Sequence, residues 1–229
     1  MKASLPALVV FDLDDTLYLE AEFVRSGFAA VEVALDIEGL AATAWLLHEA
    51  GVRGTVLAKA LRRHGREAAL AEVARAVAIY RAHRPCIGLA PDADATLATL
   101  FEHPGVELAL LTDGHAATQR NKIEALGLDR WLRRMVVTDE LGPDRAYWKP
   151  HPEGFQQLQG DGRSAAACVY VADNPHKDFD APARLGWHTV RLRRQGGLWE
   201  REPDGAAPAE VTISELSSLG AHLRALALL

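Results

Sequence analysis

Five short apolar runs constrain this chain more than any other feature: residues 7–11 (ALVVF), 106–111 (VELALL), 135–138 (MVVT), 167–172 (ACVYVA) and 187–192 (WHTVRL). They are continuous rather than alternating, rich in valine and bounded by polar residues, which is the pattern of strands buried on both faces of a parallel sheet. Between them, residues 118–126, 152–158 and 179–185 carry apolar positions at helical spacing. Gly127 and Gly186 each follow a leucine at the expected end of a helix, where a left-handed backbone favours glycine. Strands alternating with helices of this length predict a doubly wound α/β fold with a parallel-sheet, Rossmann-like core.

One stretch breaks the rhythm. Residues 18–89 contain no convincing strand and read as four alanine- and leucine-rich helices, at 20–36, 40–50, 55–64 and 67–83, separated at glycines. The expected organisation is therefore an α/β core over 1–17 and 90–229, with an all-helical cap inserted at 18–89. The alternative for that stretch is an elaborate crossover connection. The chain closes with a loop (GGLWEREPDGAAPAE), a short apolar patch and a helix over 214–228.

Composition narrows the class. At 229 residues the chain is long enough to bury a substantial core. A net charge of -6 argues against a nucleic-acid polymer as partner, since that affinity rests on clustered cations. Cys86 and Cys168 lack the spacing of a zinc site or a disulfide framework, and both are expected to be reduced and mostly buried. No apolar run approaches a membrane span, and the opening MKASLPALVVFDLDD meets acids too early for a signal peptide, so a cytoplasmic protein is expected.

Four polar clusters sit at the carboxyl ends of the predicted strands or just ahead of helices. The first strand runs into Asp12-Leu13-Asp14-Asp15-Thr16. Acids after a strand often cap a turn, but in an open α/β sheet this is also where sites form, and two carboxylates one residue apart suit a hard cation. The second strand ends in Thr112-Asp113-Gly114 before a helix, either an ordinary N-cap or a phosphate cradle of hydroxyl and N–H groups. Lys149 stands in WKPHP, kept out of helical conformation by Pro150. After the fourth strand come Asp173-Asn174-Pro175-His176-Lys177-Asp178. Asp178 reads equally as a helix N-terminal charge, whereas burying Asp173 beside Asp12 and Asp14 calls for a cation.

In this order and at these positions, FDLDDTL, LLTDG, the lysine of WKP and VADNPHKDF resemble the four signature motifs of the haloacid dehalogenase superfamily. The helical stretch between the first two resembles the family's helical cap. The chain departs from the pattern at Ala172, where the family often has glycine. The resemblance implies a phosphoric monoester hydrolase with Asp12 as nucleophile, Asp14 as general acid and base, and Lys149 as electrostatic stabiliser. It implies Mg²⁺ held by Asp12, the backbone carbonyl of Asp14 and Asp173, with Asp178 orienting that shell. Thr112, Asp113 and Lys149 would bind the phosphoryl group, on a small-molecule phosphate ester of the sugar phosphate or nucleotide class.

Asp14 counts against the dehalogenase branch, which lacks the second acid. Lys59, the only lysine of the cap, reads as a solvated charge and counts against a Schiff-base phosphonate hydrolase. A phosphomutase, or a non-catalytic binding or regulatory relative, stays open. Arg53, in the interhelical loop Gly51-Val52-Arg53-Gly54, is a candidate for sensing an anionic substrate group, or simply an exposed arginine. Trp45 and Trp148 are expected to pack in the interior, and Arg191–Arg194 to be solvated surface.

Overall fold

The computed structural model describes residues 5–229. Residues 1–4, which open the stretch read for a leader, lie outside the described residues. Six strands form one sheet in the order β3-β2-β1-β4-β5-β6, and every neighbouring pair is parallel. They are β1 (Ala7–Phe11), β2 (Val106–Thr112), β3 (Arg134–Val137), β4 (Cys168–Ala172), β5 (His188–Leu192) and β6 (Val211–Ile213). The chain begins at β1 in the middle, builds outward through β2 and β3, then returns to β4 on the other side of β1. That reversal of strand order opens a crevice at the carboxyl ends of β1 and β4.

The valine-rich runs are strands because both of their faces are covered. Val9 and Phe11 join Leu108, Leu110, Val169 and Val171 in a core on one face. Leu8 and Val10 join Ala109, Leu111, Tyr170 and Ala172 in a core on the other. The period-2 geometry of a strand produces this division, and burial of both sets is what holds the sheet. On the first face pack α5 (Pro91–Phe101), through Leu97 and Leu100, and α9 (Leu219–Ala225), through Leu219 and Leu223. The second face takes α7 (Glu153–Gln159), through Phe155 and Leu158, and α8 (Asp180–Arg184), through Ala181. Gly127 and Gly186 adopt φ of +59° and +80°, the left-handed turns expected after helices. The first of these follows α6 (Ala116–Ala125).

Residues 20–82 form the four expected helices: α1 (Glu20–Leu35), α2 (Leu40–Glu49), α3 (Val56–Arg63) and α4 (Leu70–Ala82). Their apolar positions gather into a third core of their own, around Phe28, Val31, Leu40, Ala44, Leu61 and Ala76.

Four readings of the sequence need correction. The apolar patch near the end is the edge strand β6, and the helix expected at 214–228 is a 3₁₀ turn, Leu216–Ser218, followed by the shorter α9. Cys86 is exposed; only Cys168 is buried, and both thiols are free. Arg191 is fully buried rather than solvated. Its guanidinium donates to Asp204 at 2.6 Å and to the carbonyls of Trp199 and Glu202 at 3.0 and 2.8 Å, so it holds the loop after β5. Trp45 and Trp148 are half-buried: Trp45 stacks on His48 and carries the Arg25 guanidinium 3.8 Å above its ring. No described helix is long and apolar enough to cross a membrane.

Candidate active site

The expected residues converge at the carboxyl ends of β1, β2 and β4. Asp12 leaves β1 with its N–H bonded to the carbonyl of Val171 at 2.9 Å, which keeps it in line with the sheet edge. Asp12, Asp14, Thr112, Asp113 and Asp173 line a cavity of about 380 Å³. Lys149 and Asp178 lie beneath its floor, with fully buried side chains.

Lys149 organises that floor. Its ammonium contacts Asp12 Oδ1 at 2.6 Å, Asp178 Oδ1 at 2.7 Å and the Tyr170 hydroxyl at 2.7 Å. Its backbone N–H, extended ahead of Pro150, donates to Asp113 Oδ1 at 3.1 Å. Burial opposes the charge, but Asp12 and Asp178 hold Lys149 well above the ordinary lysine range. Asp178 also accepts from the N–H of Asn174 at 3.0 Å, so its nearest work is to hold Lys149 and the loop after β4.

Asp113 is tied down in the same way. Its carboxylate accepts from Thr138 Oγ1 and Lys177 Nζ, each at 2.7 Å. Burial raises its pKa, yet Lys149 and Lys177 outweigh burial and leave it lowered. An ionised carboxylate has no proton to donate to phosphoryl oxygens. Any phosphate contact from this residue falls to its N–H.

Asp12 and Asp173 are short of positive charge. Burial, with the charge of Asp178, pushes Asp12 up to about 6 despite Lys149. Asp173 is pushed well above the carboxylate range by burial and by its neighbours Asp12, Asp178 and Asp15, with Lys149 as the offset. Two carboxylates raised by burial and by acidic neighbours fit a hard divalent cation, which would favour the ionised form of both. Among the described residues no group of three or more His, Cys, Asp or Glu side chains is placed to hold a metal.

Asp14 faces the opposite balance. Its Oδ1 accepts from Lys122 Nζ at 2.7 Å and from the Tyr18 hydroxyl; its Oδ2 accepts from Gln119 Nε2 at 3.1 Å. Burial raises its pKa, but Lys122, Tyr18 and Gln119 together bring it below the ordinary value. Gln119 also donates to Thr112 Oγ1 at 2.7 Å, so one amide links the first two clusters. Lys122, Gln119, Tyr18, Tyr170 and Lys177 carried no assignment from the sequence. Gln119 and Lys122 stand three residues apart, one turn of α6, and that spacing is the signal that could have found them.

Arg53 is not at this site. It lines a second cavity of about 790 Å³ between the four helices and the loop after β5. Its guanidinium donates to the carbonyls of His48 and Val52 at 2.7 and 3.0 Å, which closes the end of α2. Asp15, Glu20, Tyr80, Arg81 and Leu198 border both cavities. Asp15 accepts from the N–H of Glu20, at the start of α1, and from that of Leu198, in the loop after β5, each at 2.8 Å.

A family model for haloacid dehalogenase-like hydrolases matches residues 6–186. The chain is 28% identical over 225 residues to a glyceraldehyde 3-phosphate phosphatase of Methanocaldococcus jannaschii, covering 92% of this chain and 94% of that one. It is 31% identical over 208 residues to a protein of the same name from Methanopyrus kandleri, covering 85% and 87%. Among solved structures, the magnesium-bound hydrolase YfnB of Bacillus subtilis shares the fold with a TM-score of 0.69 at 18% identity, covering 96% and 99%. A 2-haloacid dehalogenase of Pseudomonas syringae pv. Tomato DC3000 matches with a TM-score of 0.64 at 25% identity, covering 96% and 99%. Motifs, strand order and family match agree: the chain belongs to the haloacid dehalogenase-like hydrolases.

Proposed function

We propose that this chain is a Mg²⁺-dependent phosphatase that hydrolyses small phosphate monoesters, of the sugar phosphate or nucleotide class, through an aspartyl-phosphate on Asp12. The observation that carries the reading is the pair of acids after β1. Asp12 rests on Lys149, and Asp14 lines the same cavity as a second carboxyl group. Attack on carbon to displace a halide has no need of the second acid, whereas an alcohol leaving group needs a proton.

In the first half-reaction an Asp12 oxygen attacks phosphorus, the bond to the ester oxygen breaks, and that oxygen takes a proton from Asp14. In the second, Asp14 takes a proton from water as the water oxygen attacks phosphorus; the bond to Asp12 breaks and inorganic phosphate leaves. Lys149 stays protonated, fixes the attacking carboxylate and faces the charge that gathers on the phosphoryl oxygens. Thr112 and the N–H of Asp113 cradle those oxygens. The side chains of Asp12 and Asp173 with the carbonyl of Asp14 would hold Mg²⁺, which when bound neutralises phosphoryl charge. Lys122, Tyr18 and Gln119 favour the base form of Asp14. A phosphate dianion arriving beside it adds negative charge and favours the acid form that the first step uses.

The four helices at 20–82 serve as a cap over the site. The leaving group would extend past Glu20 and Leu198 into the larger cavity, whose roughly 790 Å³ has room for a sugar or nucleoside as well as a triose. Two similar proteins are named for glyceraldehyde 3-phosphate, so triose phosphates head the assay panel. The test is phosphate release from a panel of monoesters with Mg²⁺ and with EDTA, alongside Asp12→Asn. Metal-dependent release that disappears in the variant supports the reading. Release that persists in a folded Asp12→Asn protein refutes it.

A further inference from the structure

We propose that Lys122 is a positioning residue of the reaction: from α6 its ammonium holds the Asp14 carboxyl in line with the leaving-group oxygen. The inference rests on the phosphatase reading and assigns a part in it to a residue outside the four motifs.

The geometry is that of a support placed behind a working group. The Lys122 side chain is 4% exposed while that of Asp14 is 23% exposed, so the ammonium is dry and the carboxyl keeps a face open. Both line the 380 Å³ cavity, and 2.7 Å separates them. The ammonium sits 4.3 Å from the ring centroid of Phe23, on α1, and 6.0 Å from that of Tyr18. These rings keep water from the ammonium, which strengthens its contact with Asp14. A buried ammonium is costly unless paired, and Asp14 is the carboxylate it bonds.

The three donors come from two separate elements. Tyr18 belongs to the loop between β1 and α1; Gln119 and Lys122 come from successive turns of α6. Between them they engage both carboxylate oxygens, so the plane of the group is set as well as its position. A flexible aspartate on a loop would spend much of its time misaligned, and proton transfer falls steeply with misplacement.

A role exercised through proton delivery has a signature that a purely structural ion pair lacks. An alkyl alcohol must be protonated as it leaves, whereas p-nitrophenolate leaves unaided. Moreover, kcat/KM reports only steps through phosphoryl transfer to Asp12, so the second half-reaction does not blur the comparison. The experiment measures kcat/KM for glycerol phosphate and for p-nitrophenyl phosphate with Mg²⁺, in the wild type, Lys122→Met, Lys122→Arg and Asp14→Asn. Thermal melting confirms that each is folded.

The expected result is a fall of about 100-fold on the alkyl ester in Lys122→Met, at least about 10-fold larger than the fall on the aryl ester. Lys122→Arg should recover most of that selectivity, and adding Lys122→Met to Asp14→Asn should cost little more. Equal falls on both esters, or no fall on either, would overturn the assignment. If Lys122→Met does not fold, Lys122→Gln carries the same ratio test with the same criteria. No phosphate release by the wild type from any ester would overturn the phosphatase reading, and this one with it. Release by the wild type with an unselective Lys122→Met overturns this one alone.

Discussion

Asp12 and Asp14 are one residue apart in the chain and sit in opposite electrostatic settings. Asp12 is pushed up to about 6 by burial and by Asp178, which Lys149 only partly offsets. Asp14, only partly buried, is pulled below the ordinary range by Lys122, Tyr18 and Gln119. The difference separates two roles for one residue type. The first acid is short of positive charge, as befits a group that shares a cation and an incoming phosphate. The second has all its partners within the protein, as befits a group that must hold a fixed line to the leaving oxygen. Environment sets the division, because the strand end carries both into the same crevice.

Exchanging the partners of either acid tests the comparison most severely. Replacing Lys149 with Met should lower turnover by about 100- to 1,000-fold, since it removes a preorganised charge from the transferring group. It also strands Asp12 and Asp178 in the interior, and a loss of about 3–5 kcal/mol in folding stability should appear in denaturant titration. Asp14→Asn should lower kcat/KM for alkyl esters by about 100- to 10,000-fold and for p-nitrophenyl phosphate by less. Equal losses on both esters would remove Asp14 from proton delivery.

A smaller effect concerns pH. Asp12 and Glu20 stand at about 6 and about 7 in the fold, against ordinary values of 3.8 and 4.5. Burial is the main cause in each case, aided by Asp178 for Asp12 and by Asp14 for Glu20. A group raised in the fold favours folding when protonated. That contribution is complete below the ordinary values and lost as pH rises through the raised ones. Asp14 and Asp113 are lowered, so their contribution is lost only in acid below about 4. His48 and His83, lowered by burial, oppose this trend as they protonate, so on going from pH about 7.5 to about 5.5 the melting temperature should change more favourably in EDTA than in Mg²⁺. A slope of the same sign and size with and without Mg²⁺ would count against the cation site.

The smallest effect is expected at Arg53. Its guanidinium is engaged with the carbonyls of His48 and Val52, so Arg53→Ala should cost about 1 kcal/mol or less and leave the order of preferred esters unchanged. A reordered ester panel would restore it as a specificity residue.

The legible parts of this molecule are those where hydrophobic pattern and chemistry coincide. Asp12, Thr112 and Asp173 each end or follow a valine- or leucine-rich run, and runs buried on both faces bring their ends together at one edge. Lys149 was legible through Pro150, which marks an extended residue ahead of a helix. Lys122 and Gln119 were not, because the stretch TQRNK reads as a solvated helix face. Only the tertiary fold shows that this face turns toward Asp14 beneath Phe23. Arg191 misled for the same reason: an arginine-rich run looks exposed until the loop carrying Asp204 is seen folded back over it. The strand β6 is three residues long at the sheet edge, with its central Thr212 exposed, so it carries too little pattern to be told from a loop.

The central claim is that Asp12 becomes phosphorylated during turnover. Mixing the protein with Mg²⁺ and a hydrolysed ester, quenching in acid within one turnover and digesting for mass spectrometry tests it directly. The account predicts one phosphoryl group on the peptide containing Asp12, carried on that residue and absent from Asp12→Asn. Phosphate release with no phosphoryl group on Asp12, or with the group on another residue, would contradict it.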